Sequence, residues 1–350
     1  MKINSICIFI ALLLLCSVSD INGQVAKTIN VIKAGDLISN LTEAESNEIT
    51  HLTITGKINA IDFKHLRDGF QRLEFLDISN AEIRMYTGKE GTYPNKLYVY
   101  PKNCIPAYAF CKTKDGQEMG KESLKRVKLS EKIWNIEDAA FKNCSNLQVV
   151  EIGKKKAPNL LTDALLNTNT TIFVPLGSGD NYRMNAKWKS FAILEGSPQK
   201  AEVKITSESN LSDELLNAGI QPNEVNFLSI EGKIDDIDFK VIRNYMSNLV
   251  SVDIRKTSAK RIPEFTFSKK IYLSSIELPS QLEVIGQRAV SNCEHLRGNV
   301  VLPSTVTALE YGAFLDCKKL EKVIVTGSNL NAIASDIFGK ESSTQLEFTK

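Results

Sequence analysis

The sequence predicts an α/β solenoid built as two short solenoids in tandem, and three observations point to it. First, a segment of the form Ala-Phe-x-x-Cys-x-x-Leu recurs at 140–147, 289–296 (with Val290 in place of Phe) and 313–320. Second, each copy runs into a β-prone stretch, at 148–152, 300–303 and 323–325. Third, residues 48–78 align without gaps on 224–254 at a constant offset of 176, with 14 of 31 positions identical.

These repeats describe a coil of about 23 residues per turn, in which one turn cannot bury its own apolar face and stacked turns can. Ala289 and Ala313 lie 24 residues apart, and Phe338 follows Phe314 by 24. Between copies a second piece recurs, running from Leu278-Pro279 to Ile285-Gly286 and echoed from Leu302-Pro303 to Leu309, with a diverged version at 129–136. Pro279 and Pro303 end the strands they follow, because proline has no N–H for the next rung of a ladder.

Taken from the amino end, Lys2 precedes an apolar run at 6–18 that contains Leu12 to Leu15. The run is shorter than the roughly 20 residues that a membrane span requires. With the polar stretch Ser19 to Gly23 after it, residues 1–23 read as a secretory signal peptide cut before Gln24, which predicts export to the medium or the outer cell surface. Cys16 offers a rival, lipid-anchored start, disfavoured because Leu15 rather than a small residue precedes it. The remainder divides near Pro198 into a first solenoid at 24–198 and a second at 199–350. A net charge of +2 gives no footprint for nucleic acid. Of seven cysteines, Cys7 and Cys16 fall in the signal; the remaining odd, spaced set is no disulfide framework. Cys144, Cys293 and Cys317 occupy the repeat position of a small buried apolar residue, and Cys104 and Cys111 are the one pair near enough in sequence to join.

Each half opens as strand, turn, helix and strand. Leu52-Thr53-Ile54 and Leu228-Ser229-Ile230 alternate as strands do, and Asp62 and Asp238 stand where a cap for the following short helix is expected. The cluster Asp235-Asp236-x-Asp238 could suggest a cation site, but its counterpart is Asn59-Ala60-x-Asp62, which favours capping. Residues 73–78 are the first solenoid strand. The first half then carries insertions of 19 and 8 residues relative to the second. The longer, about 82–103, holds Tyr86, Tyr93, Tyr98 and Tyr100 with Gly88, Gly91 and Pro94. Tyrosine supplies large, fairly rigid contact area, so these four are the candidate binding residues. The alternative is that Tyr98-Val99-Tyr100 is a strand with its rings on the core. The shorter insertion, 112–122, reads as a charged, flexible loop.

Nothing here assembles into chemistry. His51, His65 and His295 lack metal-ligand spacing, Gly177-Ser178-Gly179 is no nucleophile elbow, and Gly56-Lys57 is no phosphate loop. The sequence therefore predicts no enzyme, no metal and no cofactor. Solvent-facing strand positions Lys128, Glu151, Glu277 and Ile324 are of mixed type and indicate no ligand class.

Ile262-Pro263 through Phe267, the three cysteine segments and Leu282 through Gly286 together resemble the BspA-like leucine-rich repeats of bacterial cell-surface proteins. The opening at 55–63 is similar to the start of such arrays in Bacteroides-type bacteria, and Val174-Pro175, Tyr182, Trp188 and Phe191 resemble their closing segment. The resemblance implies a leucine-rich-repeat solenoid and a protein ligand, such as the host matrix glycoproteins fibronectin and fibrinogen, or another cell. Two rivals stand beside it: a carbohydrate-binding accessory protein of a glycan-uptake system, and an assembly module. The sequence departs from the pattern in having roughly four turns per half and no second copy of Tyr182-Trp188-Phe191, so self-association through the carboxyl-terminal strands is a further expectation.

Overall fold

A computed structural model describes residues 23–39, 41–93, 96–340 and 342–349; the expected signal peptide and Cys16 lie outside the described residues. The chain forms two compact units. One comprises residues up to 147 together with 158–168, the other 148–157 together with 169 onward.

In the first unit, strands Ala26–Val31, His51–Ile58, Phe75–Ile83 and Arg126–Leu129 lie side by side in that order, all parallel. Register places Leu52 beside Leu76 and Leu76 beside Val127, each with no exposed surface. Equivalent apolar residues of successive turns thus meet along one line, which is how a solenoid acquires a core. A narrower parallel sheet stacks Cys104–Ile105, Asn135–Ile136 and Asn159–Leu160. In the second unit, Val149–Ile152, Thr171–Val174 and Ala192–Glu195 form one parallel set and Gln199–Ile205, Val225–Gly232, Ser251–Thr257 and Ser275–Glu277 another. Arg297–Leu302, Lys319–Thr326 and Gln345–Thr349 continue the coil, and Ile262, Ile285, Leu309 and Ile333 stack along the narrow sheet. Phe348 at its end is 54% exposed.

The repeat motif is explained by its turn. Asn143, Asn292 and Asp316, each just before the repeat cysteine, have φ of 60°, 54° and 57°. This left-handed conformation is tolerated best by glycine, asparagine and aspartate. The cysteines beyond them turn inward: the Cys293 thiol donates to the Phe267 carbonyl at 3.2 Å and the Cys317 thiol to the Val290 carbonyl at 2.8 Å. Cys104 and Cys111 are buried free thiols, as are the other three described cysteines, and burial pushes both up to about 11.

Each half opens with an element pair beyond the expected pattern: strand Ala26–Val31 and helix Glu43–Glu48 in one, strand Gln199–Ile205 and helix Leu211–Asn217 in the other. The helix after the next strand, Ala60–Gly69 or Asp236–Tyr245, is capped by Asn59 or Asp235. Asp62 and Asp238 are therefore not the caps that the sequence suggested. They sit three residues further on and close a capping box, accepting from the Asn59 N–H at 2.8 Å and the Asp235 N–H at 3.0 Å. Both also reach back toward the preceding element pair: Asp62 accepts from Gly35 through the same oxygen and from Leu37 through the other, and Asp238 accepts from Leu211 through its other oxygen.

The same helices share a second device at their other end. Lys121 donates to the carbonyls of Phe70 and Arg67, at 2.6 and 3.2 Å, and Lys270 to that of Arg243 at 2.7 Å. Both lysines are buried, and burial pulls each down to about 8. An amine that loses its proton more readily in the folded chain than in the unfolded one gains folded-state stability as pH rises from about 8 toward 10.5. The stability difference between the parent and Lys270→Met should therefore widen in favour of the parent by about 1 kcal/mol between pH 8 and 9. Urea unfolding at the two pH values measures it; a difference independent of pH would mean that Lys270 titrates as an exposed amine does.

Candidate functional site

The long insertion folds as a two-stranded antiparallel ribbon, Tyr86–Gly88 against Tyr98–Tyr100, with Tyr86 opposite Tyr100 and Thr87 opposite Val99. Side chains alternate across such a ribbon. Tyr86, Tyr98 and Tyr100 fall on one face and Val99 on the other, with Met85 and Leu97 immediately before the two strands.

The tyrosine face is a connected stack. Tyr86 stacks on Tyr100 with ring centroids 5.8 Å apart, Tyr100 meets Tyr98 at 4.9 Å, Tyr98 lies flat on Tyr93 at 4.8 Å, and Tyr93 meets the edge of Tyr108 at 5.2 Å. Each is a geometry that aromatic pairs favour. Tyr100 is only 2% exposed, and its hydroxyl accepts from the Tyr93 N–H at 2.7 Å. A Cβ on Gly91 would lie 2.5 Å from a Tyr100 ring carbon, so that position has room only for glycine. Tyr86, Tyr93 and Tyr98 are half-buried, and Tyr86 donates to Glu90. The ammonium of Lys96 stands 5.8 Å from the Tyr93 ring centre, a cation–π distance.

The ribbon is pinned to the solenoid. One Arg67 nitrogen donates to the carbonyls of Thr92 and Tyr108, both at 2.9 Å, and of Cys111 at 3.3 Å, while Thr92 donates to the Ala107 carbonyl at 2.5 Å. Tyr108 donates to Glu118 at 3.1 Å; burial pushes its hydroxyl up, to about 12. Arg67, Thr92 and Tyr108 are parts of the site that the sequence did not signal. Arg67 is shared with the second half, where Arg243 instead binds the Glu264 carbonyl at 3.2 Å, so its pattern read as part of the repeat.

The opposite face is open: Val99 is 59% exposed, and Met85 and Leu97 beside the strands are 66% and 61% exposed. The shorter insertion is no flexible loop. Cys111–Lys114 and Gln117–Gly120 pair as an antiparallel hairpin, held by the Asn143 amide donating to the Glu118 carbonyl at 2.7 Å. Among the sheet positions expected to face solvent, Glu151 is in fact buried at 7%.

The histidines behave structurally. Burial lowers all three; His51 meets the Phe75 ring edge-on at 5.7 Å, and the His295 ring nitrogen lies 2.7 Å from the Ile271 carbonyl oxygen. Among the described residues no group of three or more His, Cys, Asp or Glu could hold a metal ion, and no helix is long and apolar enough to cross a membrane. Tyr182, Trp188 and Phe191 cluster, with Tyr182 and Trp188 fully buried and the Tyr182 hydroxyl donating to the Lys154 carbonyl at 2.6 Å.

A match to a known repeat family agrees with this architecture. Residues 103–174 and 233–350 match the BspA type leucine-rich repeat region, in 6 copies. A leucine-rich cell-surface protein from Faecalibacterium prausnitzii is similar in structure at 13% identity, over 93% of this chain and 84% of its own, with a TM-score of 0.26. A leucine-rich repeat protein from Bacteroides ovatus is similar at 14% identity over 77% and 98%, with a TM-score of 0.27. The pneumococcal vaccine antigen PcpA is similar at 15% identity over 87% and 67%, with a TM-score of 0.22. No curated protein matches the chain. The in-phase repeats and their matched span, more than half of the sequence, make this chain a member of the BspA-type leucine-rich repeat family.

Proposed function

We propose that this chain is an exported, non-enzymatic surface protein that binds a protein ligand through the tyrosine ribbon. The observation that carries the reading is the ribbon's two-sidedness: Val99 on the strand pair and Met85 and Leu97 beside it are exposed, while the other face is locked by stacked rings. A partner that covers Met85, Leu97 and Val99 gains apolar burial without ordering a loose loop, since Arg67 has already fixed it. Tyr86, Tyr93, Tyr98 and Tyr100 contribute from the other side, as the ring stack that holds the ribbon in shape. From the family resemblance the ligand class is a matrix glycoprotein or another cell's surface protein, and the described strands of the solenoid serve as scaffold.

The test is a binding screen of residues 24–350 against fibronectin, fibrinogen and related matrix glycoproteins. The double variant Leu97→Asp, Val99→Asp alters exposed positions and leaves the ring stack intact. It should weaken a ribbon-borne complex by about 30-fold or more, the scale of a binding hot spot. Undiminished binding by the double variant would remove the ribbon from the interface.

A further inference from the structure

A cleft in the second unit, remote in sequence from the ribbon, has the chemistry of a sugar site. It encloses about 500 Å³, within the range of small-molecule sites, and its walls come from Leu176, Gln199, Asn223, Asn248 and Tyr272 among others. We propose that this cleft binds a neutral oligosaccharide.

The charged groups in the cleft are already engaged. Glu195 accepts from the N–H groups of Gly177 and Gly179 at 2.6 and 2.9 Å, and Arg183 is bound to Asp180 at 2.9 Å. Glu224 accepts from the Gln221 N–H at 3.2 Å. These bonds hold the charged side chains against the wall and leave the carboxylates of Glu195 and Glu224 negative, which disfavours an anionic ligand. The neutral groups differ. Asn226, which is buried, accepts from the Gln199 N–H at 2.8 Å and donates to the Asn248 carbonyl at 3.0 Å, fixing two walls of the cleft. Asn248 donates in turn to the Asn223 carbonyl at 2.9 Å. Left without a partner among the described residues are the whole side-chain amide of Asn223, the amide oxygens of Gln199 and Asn248, and the Tyr272 hydroxyl.

Amides and a phenol offer donors and acceptors together, which is what the dense hydroxyls of a sugar need. The half-buried Tyr272 ring and the 76% exposed Leu176 add apolar surface for the C–H face of a pyranose. Tyr272 packs on a small core of Val149, Phe173, Leu194 and Val250, so its ring is held before any ligand arrives. The site is separate from the ribbon and would operate whether or not the ribbon binds protein.

The experiment titrates residues 24–350 calorimetrically with neutral trisaccharides of glucose, mannose, galactose and N-acetylglucosamine, with a Gly-Ser-Asn peptide of similar size as control. At least one trisaccharide should bind saturably at millimolar concentration. Asn223→Ala and Tyr272→Phe, which remove one exposed amide and one hydroxyl while leaving the core intact, should each weaken it by roughly three- to tenfold. The ribbon double variant Leu97→Asp, Val99→Asp should bind as the parent does. Binding of none of the four sugars, binding of the peptide alone, or an affinity that both cleft variants leave unchanged would each overturn the proposal.

Discussion

Asp62→Ala should destabilise the first unit by about 3–6 kcal/mol, because it leaves three backbone donors without a partner at a cost of about 1–2 kcal/mol each, the lower part of the usual range. The carboxylate has no exposed surface, and it joins three points of the chain. Oδ1 accepts from Leu37 at 2.9 Å, while Oδ2 accepts from Gly35 at 2.7 Å and from Asn59 at 2.8 Å. Burial pushes its pKa upward and the three N–H donors oppose that shift. The equivalent Asp238 is an internal control. It accepts from two backbone donors, Leu211 at 2.7 Å and Asp235 at 3.0 Å, so Asp238→Ala should cost about 2–4 kcal/mol. Asp62→Asn should fall between Asp62→Ala and the parent: one amide oxygen can serve two donors, and the NH2 group then faces the third. Chemical unfolding gives the energies, and amide exchange at Gly35 and Leu37 gives the location. Equal losses for the two alanine variants, or unchanged protection at Gly35 and Leu37, would show that these hydrogen bonds do not tie down the opening loop.

The contrast between these two aspartates also shows what the sequence could and could not disclose. The duplication at an offset of 176 made both residues visible, and the capping alternative was preferred to a cation site for a sound reason, the Asn59 counterpart. Their true partners lie about 25 residues earlier, in segments whose spacing differs between the halves. Asp62 reaches Leu37 and Asp238 reaches Leu211, a separation of 25 in one case and 27 in the other. A gap-free alignment cannot follow such a slip, and the opening strand and helix of each half were lost with it. The solenoid core was legible because it is periodic: Phe141, Phe267 and Phe314 recur in phase and are buried. The tyrosines of the ribbon were legible as a composition, but the Arg67 anchor and the Tyr108 terminus of the stack were not, since neither lies in the insertion. The cleft of the second unit was invisible for a stronger reason. Its walls come from several stretches between Leu176 and Tyr272, with no local motif in any of them.

Phe267→Ala should cost about 3–5 kcal/mol, the usual range for deleting a fully buried aromatic ring whose neighbours relax only in part. Phe267 has no exposed surface, its N–H donates to the Ala289 carbonyl at 2.7 Å, and its own carbonyl accepts from the thiol of Cys293. The backbone around it is therefore bonded to the next turn and cannot collapse freely into the space left by the ring. Phe338 holds the same repeat position at the far end of the stack, 6.2 Å from Phe314, but is only partly buried. Phe338→Ala leaves a notch that water can fill rather than a cavity, and should cost less than half as much. Guanidinium unfolding of the two variants distinguishes this from a core of uniform strength, for which the two losses would be equal. A larger loss at Phe338 would mean that the final turns are covered in solution, and that the exposed Phe348 beyond them is part of a contact between chains.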